Sequence, residues 1–373
     1  MSIHKKMIGI IGGGQLARML ILKAHQMGLM TVVLSDKITD PAVQVSNRWV
    51  KGSFQSIKDV RRLMQICDLV TFESEFISAD LLKKSIKNIK GTQIYPSLAC
   101  LGRLQDRLLQ KEWLYDFDLP TLEHIKINTK DDIELAFEAF NKKVVFKKRI
   151  GGYDGYGTYV IKSPVALREF KKSIKGEESN FIIEPFVSFK SEKSLIFARN
   201  TRGQTTVLPM IQSVQKNNQC DYVVGPVSHP NEKKLKTQIT AFLNQINYVG
   251  TIAFELFDLG SKLVINEVAP RVHNTGHFSQ DALSVDQFEL HLRSILGMPF
   301  PENTAKAEAF VMVNLLGQTM RVPHIKKFST GSFHWYNKDE NRPRRKMGHI
   351  NYVGRNKKIL LKKAIQERKG ILL

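Results

Sequence analysis

The stretch from Phe254 to His277, FELFDLGSKLVINEVAPRVHNTGH, constrains this chain more than any other. Glu255 lies in an apolar, strand-like run from Gly250 to Phe257, and Asp258-Leu259-Gly260-Ser261 follows as a turn. Leu263 to Val268 then reads as a second strand, carrying Glu267. Turn residues between two short apolar runs predict a hairpin, and the spacing sets the two carboxylates side by side on rigid strands. Close carboxylates repel unless a cation lies between them. Hard oxygen ligands beside a phosphate-rich substrate suit Mg²⁺, which takes one or two carboxylates and fills its shell with phosphate oxygens. After Glu267 the chain continues Ala269-Pro270-Arg271-Val272-His273-Asn274-Thr275-Gly276-His277, dense in groups that hold an anion or move a proton. Either glutamate alone would read as a solvated strand residue; the loop beside them points instead to a metal–nucleotide site next to a substrate loop.

Bulk properties fit a soluble enzyme. At 373 residues the chain is too long for one core, so two or three domains are expected, and 42% hydrophobic residues can fill them. No apolar run approaches the ~20 residues needed to span a bilayer, so no membrane partner is expected. The opening MSIHKKMIGIIGGG enters a strand and glycine loop without a signal-peptide pattern. Cys67, Cys100 and Cys220 are widely spaced with no CxxC pair, which argues against a disulfide framework or zinc site and for a cytoplasmic location. The net charge of +21 raises the question of nucleic acid. However, the basic residues are spread along the chain, and the densest cluster, Arg342 to Lys346 and Lys357 to Lys369, lacks interleaved aromatics. A solvated surface with anionic small-molecule substrates is the better account, with no nucleic-acid partner.

Three regions are expected: an N-terminal domain over 1–95, a central domain over 96–300 with a flap subdomain at about 120–185, and a C-terminal domain over 301–373. In the first, strands at Met7 to Ile11, Met30 to Leu34 and Leu69 to Phe72 alternate with a helical run from Gln15 to Met27. The alternation implies a parallel sheet with binding groups at the carboxyl ends of its strands. Gly12, Gly14 and Ala17 with Asp36 downstream approximate a dinucleotide fingerprint, but such loops cradle any phosphate, and the later motifs have no place in a simple dehydrogenase.

Leu101 to Phe117 reads as one helix carrying Asp106, Arg107 and Lys111. Val144 to Lys147 is a strand that leads into Gly151-Gly152-Tyr153-Asp154-Gly155-Tyr156-Gly157, and Thr158 to Ile161 resumes as a strand. Two strands joined by a four-glycine loop predict a hairpin flap whose backbone N–H groups close over phosphates, with Lys147 bridging phosphate oxygens. Phe181 to Glu184 is a further strand, broken by Pro185-Phe186-Val187. Backbone groups freed there can read an adenine edge, and Glu192 beyond can accept from ribose hydroxyls. From Val311 a third region ends in a basic turn that can clamp a phosphate.

Taken together these residues resemble the ATP-grasp enzymes of purine synthesis, and among them the 5-(carboxyamino)imidazole ribonucleotide synthases. The likeness runs in order through IGIIGGGQLARM, TFESE at Thr71 to Glu75, LQDRLLQK at Leu104 to Lys111, GGYDGYG, FIIEPFVSFKSEKS, FELF, NEVAPRVHNTGH, DQFELHLRSILGMP and HWYNKDENRPRRKMGHI. It implies an α/β and α+β fold: an N-terminal Rossmann-like parallel-sheet domain, a central ATP-grasp domain and a small C-terminal β-rich domain. It implies ATP- and bicarbonate-dependent carboxylation of 5-aminoimidazole ribonucleotide by a homodimer using ATP and Mg²⁺, in de novo purine biosynthesis.

By the same resemblance, Arg107 and Lys147 contact ATP phosphates under a flap of Gly152, Tyr153, Asp154, Gly155, Tyr156, Gly157 and Thr158. Glu184, Pro185, Phe186 and Val187 hold adenine, and Glu192 holds the ribose with Gln215 nearby. Asn266 lies beside the phosphates, and Glu255 and Glu267 carry the metal. The ribonucleotide meets Gly14, Gln15, Leu16, Glu73 and Asn274, with Lys338 and Arg345 on its 5′-phosphate. Asp154, Arg271 and His273 are the catalytic candidates. Departures stand out: Tyr156 replaces a basic residue, Gln215 a histidine, Val272 a proline, Ala17 a glycine and Arg344 another glycine. The alternatives are a formate-dependent glycinamide ribonucleotide transformylase-like ligase and a catalytically weakened nucleotide-binding paralogue.

Overall fold

The computed structural model describes residues 6–152, 155–318, 324–325 and 330–373. Strands β1 (Met7–Ile11), β2 (Met30–Ser35), β3 (Arg48–Lys51), β4 (Leu69–Phe72) and β5 (Gln93–Ile94) form an all-parallel sheet in the order β3-β2-β1-β4-β5. Strand order reverses between β1 and β4, so a crevice opens beyond their carboxyl ends. Gly12 to Gly14 leave β1 there, and Glu73 to Glu75 leave β4. The expected helix after β1 spans Gln15–Gln26 and buries Leu16, Ala17, Leu20, Ile21 and Ala24.

A small antiparallel sheet, ordered β6-β9-β7-β8, contains β6 (Ile125–Lys126), β7 (Val144–Lys148), β8 (Thr158–Ile161) and β9 (Phe181–Pro185). Aromatic rings of Phe146, Phe170 and Phe181 fill the core behind it. The β7–β8 hairpin carries the glycine loop; Tyr153 and Asp154, both assigned to the site from sequence, lie outside the described residues.

The central sheet collects β10 (Ser191–Arg199), β11 (Thr205–Val207), β12 (Ile211–Lys216), β13 (Gln219–Gly225), β14 (Gly250–Asp258), β15 (Leu263–Ala269) and β16 (Ala309–Leu316). After β17 (His324–Ile325), which pairs β20 (Ile371–Leu372), the sheet continues with β18 (Ser332–Trp335) and β19 (Lys346–Gly354). Its order is β15-β14-β10-β12-β13-β16-β19-β18, with β11 beside β10. The C-terminal third therefore extends the central sheet through the antiparallel β13–β16 pairing. Helix Gln287–Leu296 locks this body to the first one, because its buried Phe288 and Leu292 share a core with Leu16 and Leu20. Full burial of such side chains stabilises by ~1.5–3 kcal/mol each.

One expectation is corrected. The run read as a single helix from Leu101 to Phe117 forms two, Leu98–Leu104 and Arg107–Asp116. Asp106 breaks it: its carboxylate accepts from the Leu108 N–H at 2.9 Å, the geometry of a helix N-cap rather than a helix interior. Arg149 pairs with Asp106 from the other side at 2.6 Å. The break makes Arg107 a first-turn residue facing the cavity.

Candidate active site

The β14–β15 hairpin forms as its turn residues indicate, and its register sets Glu255 opposite Glu267. An irregularity follows Glu255, so the ladder is interrupted beside the pair. Each side chain keeps about a third of its surface open to the cavity. Burial, followed by the charges of Glu267 and Glu192, pushes the Glu255 carboxyl up to about 8. His273 Nε2 lies 3.3 Å from Glu255 Oε1. Burial and the neighbouring Arg271 hold this imidazole well below its ordinary range, so it is neutral. Its Nδ1 accepts from the Thr275 N–H at 3.3 Å, which assigns the proton to Nε2, facing Glu255. Glu267 instead takes both hydrogen bonds from Arg107 Nη2, at 3.0 and 2.9 Å. Arg107 also donates to the Lys148 carbonyl at 2.8 Å, and any Cβ on Gly152 would collide with its guanidinium.

Lys147 Nζ donates to Glu184 Oε2 at 2.8 Å and to Asn266 Oδ1 at 2.7 Å. On the far side of Glu184, Lys111 Nζ lies 3.2 Å from Oε1 and donates to Thr121 Oγ1 at 2.8 Å. Burial opposes charge on Glu184, but the two ammonium groups outweigh it and hold the carboxyl below its usual range. Burial pushes Lys111 down to about 8, with Glu184 pulling the other way. The Glu184 side chain is thus occupied by lysines, so what Glu184 to Val187 offer the cavity in hydrogen bonding is their main-chain groups.

The N-terminal glycine loop is filled from within the protein. The start of helix Gln15–Gln26, where the sequence offers only a weak dinucleotide-like fingerprint, already holds a carboxylate. Glu73 accepts from the Gly14 N–H at 2.5 Å and the Ala17 N–H at 3.1 Å. A Cβ on Gly14 would lie 2.7 Å from Glu73 Oε1, and Gly12 adopts φ +107°, which favours glycine. The glycines therefore admit Glu73 to the helix N-terminus, and a dinucleotide pyrophosphate has no place there. Two positions along, Glu75 forms a bidentate pair with Arg271, whose Nη2 reaches Glu75 Oε1 at 3.0 Å.

These groups line one cavity of about 530 Å³. Its wall gathers Gly14, Gln15, Leu16 and Glu73 from the first body, Arg107, Lys147, Gly152, Gly155 and Thr158 around the flap, and Glu184, Pro185, Phe186, Val187, Glu192 and Gln215. Glu255, Asn266, Glu267, Arg271, His273 and Asn274 complete it. Gln215 hydrogen-bonds Glu192, whose carboxyl burial raises above its ordinary value. Four of the sequence-assigned residues within the described regions are not on this wall: Tyr156, Gly157, Lys338 and Arg345. Lys338 Nζ sits 5.8 Å over the Tyr336 ring, and Arg345 donates to the Glu340 carbonyl at 3.0 Å. Conversely, Glu75, Lys346, Asn218, Cys220 and the stacked pair Phe189–Phe257, 4.4 Å between centroids, join the wall without having been singled out from sequence. Glu75 stood inside the TFESE run, and Phe257 alternates with Glu255 on one strand face; those were the available signals.

Among the described residues, no group of three or more His, Cys, Asp or Glu is arranged to hold a metal ion. Two opposed carboxylates with an amide oxygen, one carboxyl raised by burial and then by the other's charge, fit a hard cation that draws its remaining ligands from phosphate and water.

Comparison with known proteins defines the family. The chain matches the ribonucleotide synthetase preATP-grasp domain over residues 5–105, the ATP-grasp domain over 112–288 and the phosphoribosylaminoimidazole carboxylase C-terminal domain over 310–363. It is an ATP-grasp ligase. More narrowly, it belongs to the N5-carboxyaminoimidazole ribonucleotide synthase family: it is 33% identical to the Synechococcus elongatus enzyme of that name over 353 residues, spanning 92% of this chain and 88% of the relative. The N5-carboxyaminoimidazole ribonucleotide synthetase of Thermus thermophilus superposes with a TM-score of 0.87 at 28% identity, covering 98% of each chain. An Aspergillus clavatus N5-carboxyaminoimidazole synthase in complex with ADP and 5-aminoimidazole ribonucleotide gives 0.86 at 25% identity, covering 99% of this chain and 100% of that one.

Proposed function

We propose that this chain carboxylates 5-aminoimidazole ribonucleotide at its exocyclic amine, using ATP and bicarbonate and releasing ADP and phosphate. The observation that carries it is the single cavity in which the Glu255–Glu267 pair and Lys147 adjoin the Arg271–Asn274 loop. A nucleotide's phosphates and a second anionic substrate can meet there. Family membership and the ligands named for the Aspergillus relative support the same substrates.

In the proposed reaction a bicarbonate oxygen attacks the γ-phosphorus, giving carboxyphosphate and ADP. The amine of the ribonucleotide then takes the carboxyl group, losing a proton as phosphate departs. Mg²⁺ held by Glu255, Glu267 and Asn266 would supply charge neutralisation at the phosphates. Arg107 and Lys147 bind phosphate oxygens, and the 152–158 flap excludes water from the labile acyl phosphate. Main-chain groups of Glu184 to Val187 read adenine, while Glu192 with Gln215 takes the ribose. Gly14 to Leu16, Glu73 and Asn274 hold the ribonucleotide, Lys338 and Arg345 its 5′-phosphate, and Lys346 on the cavity wall adds a cation on that side. Asp154, Arg271 and His273 orient the reacting groups, and neutral His273 presents its Nε2–H toward Glu255 as a donor. Three free, buried cysteines support a cytoplasmic setting, and the family resemblance supports a homodimer. Incubation with carbon-13 bicarbonate tests the reaction: label should appear in the ribonucleotide product, and label in formylated glycinamide ribonucleotide from formate would replace this reading by the sister activity.

A further inference from the structure

The loop that carries His273 is held by a residue outside the reaction scheme. Gln287 is fully buried at the first position of helix Gln287–Leu296. Its Oε1 accepts from the His273 N–H at 2.8 Å, and its Nε2 donates to the His273 carbonyl at 2.8 Å. One side-chain amide thereby satisfies both main-chain groups of one loop residue, the pairing a neighbouring strand would otherwise provide. The His273 N–H requires an oxygen opposite it, so the network assigns which end of the amide is which. Nε2 also stands 3.0 Å from His277 Nδ1, so the same amide grips the loop at two points four residues apart.

The clamp is itself immobilised. Gln287 N–H donates to Ser279 Oγ at 3.0 Å, and Thr251 Oγ1 donates to the Gln287 carbonyl at 3.1 Å. A Cβ on Gly276 would lie 2.6 Å from Gln287 Oε1, so the loop closes over the amide only because residue 276 is glycine. One turn along the helix, His291 Nδ1 accepts from the Thr251 N–H at 3.1 Å, and its Nε2 meets Thr71 Oγ1 at 2.8 Å. Thr71 lies on β4, the strand that delivers Glu73 and Glu75, and Thr251 lies on β14, the strand that delivers Glu255. The helix thus references the loop to both strands that build the site.

We propose that Gln287 is the positioning residue for His273, fixing the ring against Glu255 and acting on the ribonucleotide half of the reaction rather than the nucleotide half. The kinetic part rests on the carboxylating function proposed above; the geometric part does not.

Two readouts separate them. In full-length Gln287→Met, the ribonucleotide-dependent rate should fall by about 100-fold, the loss expected when a reacting group is misplaced by about an ångström. KM for the ribonucleotide should rise while the affinity for ATP stays within a factor of two. Gly276→Ala, which presses on the clamp without removing it, should give the same split with a smaller loss and covers the case in which the methionine variant fails to fold. Side-chain ¹⁵N resonances of His273, assigned in the protein without substrate, should shift toward mixed tautomers in both variants. Unchanged resonances, or equal losses in ATP affinity and ribonucleotide turnover, overturn the positioning role. A wild-type enzyme without ribonucleotide-stimulated turnover would remove the functional reading alone, because the resonance shifts are read without substrate.

Discussion

Glu255 and Glu267 are direct partners across the β14–β15 pair, yet their surroundings differ: Arg107 holds Glu267 at 2.9 Å, while Glu255 lies 3.3 Å from the neutral His273. One carboxylate is therefore charged and paired, and its neighbour is driven toward the protonated form.

Metal binding should consequently release a proton. Below about pH 8 the Glu255 carboxyl is protonated in the protein without ligand, so Mg²⁺ must displace that proton, whereas above it the site is already ionised. Calorimetry of Mg²⁺-nucleotide binding in buffers of different ionisation enthalpy should show roughly one proton released at pH 7 and progressively less as pH rises through about 8. Binding heats independent of buffer at pH 7 would remove Glu255 from the metal shell.

Arg107 occupies a carboxylate proposed here as a metal ligand, and is expected to exchange it for phosphate oxygens when Mg²⁺-ATP enters. Arg107→Met should therefore strengthen Mg²⁺ binding in the absence of nucleotide while weakening ATP binding by about tenfold or more, as befits loss of a charge-assisted contact. Glu267→Gln should lose both Mg²⁺ affinity and turnover while keeping its folded circular-dichroism spectrum. Parallel losses of metal and ATP affinity in Arg107→Met would contradict the exchange.

Lys111 and Lys147 share one carboxylate, so removing either cation unbalances a buried group. Lys111→Met leaves Glu184 with Lys147 alone and takes Nζ from Thr121; breaking a buried pair in this way costs ~3–5 kcal/mol. Urea unfolding should show a loss in that range, with ATP affinity reduced because Lys147 is drawn toward Glu184. A loss under ~1 kcal/mol would show that Lys147 compensates.

These relationships differ in how far the sequence disclosed them. The hairpin was legible because its turn and apolar runs are local, and the opposed glutamates followed from strand spacing. The parallel sheet followed from the alternation of short apolar runs with the Gln15–Gln26 helix. Glu73 capping that helix was not legible, because the bond joins residues 59 positions apart and the glycine signature is the same whether a phosphate or a carboxylate fills the loop. The Lys111–Glu184 pair was hidden likewise, since a buried lysine on a helix reads as a solvated one until its strand partner is placed. Asp106 gave a cap signal that was outweighed by helical periodicity on both sides. The join of β13 to β16 depends on which sheet edge is free, a property of the assembled fold.

Acid should weaken the native state through buried histidines. Burial pushes His291 down to about 4 from an ordinary 6.5, and lowers His277 and His349 in the same direction. Between pH 6.5 and about 4 the unfolded chain takes up protons that native His291 refuses, so stability falls as pH falls through that window and is unaffected by this group above it. Protonation would also break the Thr251 N–H bond to Nδ1. His291→Asn should flatten the decline in unfolding free energy between pH 7 and pH 5; an unchanged slope would assign the acid sensitivity elsewhere.

The most direct test is ADP release from Mg²⁺-ATP and bicarbonate, measured with and without 5-aminoimidazole ribonucleotide. Strong stimulation by the ribonucleotide is expected, and it should vanish when bicarbonate is removed. Release that is slow and indifferent to the ribonucleotide would contradict the carboxylating function and point to Tyr156 and Gln215 as the marks of a nucleotide-binding paralogue.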